Sequence, residues 1–85
     1  PMPDLTQERR KELAKLAGEY GEKAKIAIRN VRRDGMEALK DDEKKKEISE
    51  DDRKRSEDEV QKLTDKYVAD TDAAVEKKVQ EILSQ

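Results

Sequence analysis

The chain has 85 residues, 49% of them charged and 32% hydrophobic, with a net charge of −2; so short and polar a chain forms at most one domain with little core of its own. It contains neither cysteine nor histidine, which excludes disulfides, the common soft-metal ligand sets and the usual physiological proton shuttle. No apolar run reaches the roughly 18 residues that span a bilayer, and the sequence reads as soluble and cytoplasmic.

The opening "PMPDL" carries two prolines, which predicts an extended segment over residues 1–5. Thr6 is a suitable N-cap, and Glu8 supplies negative charge to the first turn. A helix is predicted over about residues 6–46. Along it Leu13, Leu16, Ala17, Tyr20, Ala24, Ala27, Ile28, Val31, Ala38 and Leu39 recur at steps of three and four, the signature of an amphipathic helix. Gly35 falls on the same stripe, where it would let another backbone approach closely. Gly18 and Gly21, in "AGEYGEK", each cost about 1 kcal/mol relative to alanine. They read either as tolerated surface glycines or as a low steric profile where the helix meets a ligand.

The charge run "DDEKKKEISEDDRKR" lacks the alternating ligands and central glycine of a calcium loop. It reads instead as a turn at about residues 46–49 between antiparallel helices. Lys44, Lys45 and Lys46 would close the first helix, while Glu50, Asp51 and Asp52 would open the second, each sign matching the helix dipole. Ser49 is the predicted N-cap, with Asp52 three residues on.

A second helix is predicted over about residues 49–84. Val60, Leu63, Tyr67, Thr71 and Ala74 form its stripe, which continues through Val75, Val79 and Ile82. At 1.5 Å per residue the pair makes a rod of about 50–60 Å. Both stripes are wider than one seam can cover, so a third helix, from elsewhere in the parent chain or from a partner chain, is wanted. The predicted fold is all-α, a long antiparallel helical hairpin forming part of a three-helix bundle, with residues 6–85 as the bundle domain.

Charge is unevenly spread. Residues 9–33 hold nine basic side chains against three acidic ones, whereas residues 34–85 hold eleven against seventeen. Within the basic part, Lys25, Arg29 and Arg32 follow helical spacing, and Arg33 flanks Arg29. If Tyr20, Ala24, Val31 and Ala38 mark the core direction, Arg29 points nearly opposite. Such a row is either a solvated helix back or a rigid cationic strip for phosphates, to which arginine's planar fork is suited. Spacing alone fits the solvated back; that no acid lies between Glu22 and Asp34 counts toward the strip, and both readings stay open on the residues.

The only aromatics, Tyr20 and Tyr67, fall on the apolar stripes, so base stacking is not supported. Contact with nucleic acid would be to its backbone and strongly salt-dependent. Catalysis is not supported either. Ser49, Ser56 and Ser84 have no histidine to activate them, and no glycine-rich phosphate loop is present. No catalytic residue, metal site or cofactor is predicted. The alternative to RNA binding is a structural hairpin used for oligomerisation or partner-helix binding.

The segments "LTQERRKELAKLAGEYGEKAKIAIRNVRRDG" and "KEISEDDRKRSEDEVQKLTDKYV" resemble the carboxy-terminal part of ribosome recycling factors. The family pattern runs Leu-Thr-x-Glu-Arg-Arg, Ala-(Lys/Arg)-x-Ala-x-Arg-Asn-x-Arg-Arg, Ile-Ser-Glu-Asp and Gln-Lys-Leu-Thr-Asp, and all four parts occur here in order. The resemblance implies an L-shaped protein in which a three-helix bundle joins a small β/α domain through two hinge strands. Residues 1–5 would be the remnant of one hinge, and the two helices the second and third of the bundle.

It further implies binding to the large ribosomal subunit, largely through ribosomal RNA, and splitting of post-termination ribosomes with elongation factor G. By the same resemblance Arg29 and Arg32 are the key RNA-contacting side chains; Lys25 and Arg33 are added from helix geometry. Without the small domain, the stretch is expected to bind without recycling. Gly35 stands where the family commonly has alanine.

Overall fold

A computed structural model describes residues 6–84; the predicted hinge remnant, residues 1–5, lies outside them. The described residues form two α-helices, α1 (Gln7–Lys44) and α2 (Glu50–Leu83). They pack antiparallel into an all-α hairpin measuring 65 × 17 × 15 Å.

Each helix starts where a side-chain oxygen takes up an otherwise unpaired amide. The Arg9 amide donates to Thr6 Oγ1 at 3.1 Å, and the Asp52 amide donates to Ser49 Oγ at 3.1 Å. Acidic residues occupy both first turns, Glu8 in α1 and Glu50, Asp51 and Asp52 in α2, where they meet the positive end of the helix dipole.

The end of α1 differs from the sequence expectation. Of the three lysines assigned to its last turn, only Lys44 is helical; Lys45 is the C-cap and Lys46 adopts φ 62°. The Lys46 amide donates to the Glu43 carbonyl and the Glu47 amide to the Asp42 carbonyl, both at 2.9 Å. This pair of bonds is a Schellman motif, which requires a left-handed residue and usually recruits glycine. Here lysine fills the position, at a steric cost of about 1–2 kcal/mol. Across the turn, Arg53 Nε donates to Glu43 Oε1 at 2.6 Å, and its Nη1 donates to Glu57. One guanidinium thereby joins the last turn of α1 to the first two of α2.

The seam between the helices is thinner than the apolar stripes suggest. Among the described residues no hydrophobic side chain is buried, and the buried positions are Gly21 and Thr64. Along α1 the half-buried line runs through Ala14, Ala17, Lys25, Ile28, Arg32, Gly35 and Leu39; along α2 it runs through Val60, Val68, Thr71, Val75, Val79 and Ile82. Thr64 satisfies its hydroxyl by donating to the Val60 carbonyl at 2.8 Å.

The expected core direction is displaced by about a quarter turn. Tyr20 is 63% and Val31 71% exposed, and Ala24 and Ala38 are exposed as well. These residues, with Leu16 on α1 and Leu63 and Tyr67 on α2, form an uncovered apolar side next to the seam. The close approach assigned to Gly35 also lies elsewhere. A Cβ at Gly35 or Gly18 would meet nothing within 4 Å, whereas one at Gly21 would sit 2.5 Å from Val75 Cγ2.

Candidate nucleic-acid interface

Grooves lined by both helices lie along the seam, an apolar one and a polar one among them. Ala27, Ile28, Val31, Gly35, Val60, Leu63 and Tyr67 line the apolar one. Arg29, Arg32, Gln61, Asp65, Ala69 and Asp72 line the polar one. Of the predicted basic residues, Arg29 lines the polar groove, Arg32 borders both, and Arg33 lines an adjoining groove with Gln61; the helices present the four basic side chains in three different ways.

Arg29 and Arg33 are exposed. Among the described residues Arg29 forms no ion pair and no side-chain hydrogen bond. Arg33 makes a loose contact with its neighbour Asp34, 3.7 Å apart with both side chains mostly in solvent, which adds little to stability. These two guanidinium groups keep nearly all their donors free for an anion.

Arg32 is half-buried and turned across the seam, where its Nε donates to Gln61 Oε1 at 2.6 Å. Gln61 Nε2 in turn donates to Asp65 Oδ1 at 2.9 Å. A guanidinium only donates and a carboxylate only accepts, so the amide between them has one consistent orientation.

Lys25 departs furthest from the expected outward row. Its side chain is only 14% exposed, and Nζ lies 2.8 Å from both Glu22 Oε1 and Asp72 Oδ1. Hydrogen bonds that Lys25 donates to Asp72 and Glu22 raise its pKa above the ordinary 10.5. The position of Lys25 on the helix explains this. Lys25 sits one turn after Gly21, on the flank of α1 that α2 approaches, and its flexible stem reaches an acid 47 positions away.

The polar groove therefore holds acids as well as bases, and sequence reasoning missed Gln61, Asp65 and Asp72. Their only local signal was the Gln61/Asp65 spacing of four on a helix, which permits an i,i+4 hydrogen bond. Nothing local to α2 announces that Asp72 faces Lys25. Tyr67 lines the apolar groove with Val31, while Arg29 lines the polar one.

Comparison with known proteins decides what this arrangement belongs to. The family model described as ribosome recycling factor matches residues 1–83. The chain belongs to the ribosome recycling factor family. It is 80% identical over all 85 residues to the ribosome-recycling factor of Erythrobacter litoralis. It is 70% identical over 83 residues, 98% of the chain, to that of Rhizorhabdus wittichii, and 60% identical over 84 residues, 99% of the chain, to that of Burkholderia ambifaria. The chain covers 46%, 45% and 45% of these ribosome recycling factors, so it spans less than half the length of the relatives it matches. The described helices are thus one part of a ribosome recycling factor architecture, and none of them is long and apolar enough to cross a membrane.

Proposed function

We propose that these two helices bind the large ribosomal subunit by engaging ribosomal RNA phosphates along the outer flank of α1. Arg29 and Arg33 make the leading contacts, and Arg32 joins them from the seam. Lys25 borders the row and adds least, because Glu22 and Asp72 already share its charge. The contacts are to backbone phosphates rather than bases, since Tyr67 lines the apolar groove and Arg29 the polar one. The observation that carries the reading is Arg29, an exposed guanidinium with no protein partner among the described residues, on the flank opposite the apolar groove of a recycling-factor hairpin.

In this reading the protein is a non-enzymatic cytoplasmic translation factor. Recycling of post-termination ribosomes with elongation factor G is the role of the whole factor, and large-subunit binding is the share carried by α1 and α2. The apolar groove is the seat of a third bundle helix, and its exposed Val31 and Tyr67 support that assignment.

The test is binding to purified large subunits at increasing salt. Neutralising phosphates with arginine releases counterions, so affinity should fall steeply with ionic strength. Arg29→Glu with Arg32→Glu should abolish binding at moderate salt. Retained binding by that variant, or binding indifferent to salt, would point instead to an apolar hairpin that pairs through its groove.

A further inference from the structure

The polar groove contains a device that the phosphate-binding reading does not itself require. Arg32 reaches the groove from the half-buried seam, and its Nε is held at 2.6 Å by Gln61 Oε1. Gln61 is held in turn by Asp65, one helical turn further along α2, at 2.9 Å. A guanidinium has two edges that can grip an oxyanion in a fork, one containing Nε and one formed by the two Nη groups. With Nε occupied, the side chain can offer only the Nη edge, and the plane of that edge is set by α2.

From this geometry we infer that Gln61 is a positioning residue for the RNA contact: it holds the Arg32 guanidinium in one orientation before phosphate arrives, and Asp65 fixes the amide of Gln61. The inference rests on the reading of Arg29 and Arg32 as phosphate contacts. Arginine side chains are long and lose considerable freedom when they bind, so holding one in advance raises affinity without adding a contact. Neutral glutamine suits this task better than an acid. A carboxylate at position 61 would still accept from Nε, but it would cancel the charge that attracts the phosphate and would face Asp65 with no proton between them.

Large-subunit binding by the chain and its variants tests the inference, with circular dichroism confirming equal helicity. Gln61→Leu should weaken binding roughly three- to tenfold and leave the salt dependence unchanged, because no phosphate contact is removed. Gln61→Glu should weaken it at least as much. Combining Gln61→Leu with Arg32→Ala should bind no worse than Arg32→Ala alone, since Gln61 acts only through that arginine. In the free chain, the Arg32 Nε proton should exchange slowly by NMR, and Gln61→Leu should remove this protection.

Wild-type affinity in Gln61→Leu, while Arg29→Glu and Arg32→Ala lose binding, would overturn the positioning role and leave the phosphate reading intact. Wild-type affinity in all three would overturn both. An Arg32 Nε proton that exchanges as fast as that of Arg29 in the unaltered chain would overturn the positioning role independently of any ribosome measurement.

Discussion

Gly21 packs directly against Val75 of the other helix: a Cβ added at Gly21 would lie 2.5 Å from Val75 Cγ2. Glycine here is a contact requirement, whereas Gly18 and Gly35 have open space above them. Val75 is β-branched and has little rotamer freedom with which to retreat, so α2 itself would have to move.

Gly21→Ala should therefore destabilise the hairpin by about 1 kcal/mol, the overpacking cost exceeding the gain of about 1 kcal/mol in helix propensity. Gly35→Ala should stabilise it by about 0.5–1 kcal/mol, because propensity acts there unopposed. Urea unfolding of the two variants checks the opposite signs. Adding Val75→Ala to Gly21→Ala should recover part of the loss, which a purely local backbone effect at Gly21 would not allow.

Lys46 is the non-glycine residue held at positive φ among the described residues, and its amide and that of Glu47 close α1. Lys46→Gly should raise stability by about 0.5–1 kcal/mol: relief of the left-handed strain outweighs the greater freedom glycine brings to the unfolded chain. Thermal unfolding should show a higher midpoint with no change in helical signal. A lower midpoint would mean that the side chain supplies something the turn needs.

Lys25 makes a pH-dependent contribution whose sign follows from its ion pairs. Asp72 and Glu22 raise its pKa above 10.5, so the folded state holds this proton more tightly than the unfolded one. The stabilisation is fully present below about pH 10.5 and is lost as pH rises through the raised value. Melting curves of the wild type and Lys25→Met should therefore differ most near neutrality and converge in strong alkali. Asp72→Asn should shrink the gap near neutrality.

Arg29 should behave as a phosphate contact and nothing more. Arg29→Ala should leave thermal stability within about 0.5 kcal/mol, because the side chain is exposed and no described residue is bonded to it. Its affinity for the large subunit should fall, and the slope of log affinity against log salt should become shallower by about one. A fall in affinity at unchanged slope would remove Arg29 from the phosphate row.

By itself the sequence determined both helices, their caps at Thr6 and Ser49, the turn between them and the basic flank of α1. These depend on interactions within a few residues: side-chain oxygens capping nearby amides, charges meeting a helix end, apolar residues recurring at helical spacing. Its motifs also carried the family, which residues 1–83 share with ribosome recycling factors. Only the tertiary structure decided which part of each broad apolar stripe meets the other helix. It sets Gly21 against Val75 and leaves Val31 and Tyr20 outside. It also separated the basic residues into exposed Arg29 and Arg33, Arg32 held by Gln61, and Lys25 drawn to Asp72. The physical reason is range: helical periodicity gives a residue's direction around its own axis, but the partner it finds is set by where a helix dozens of positions away lies against that axis.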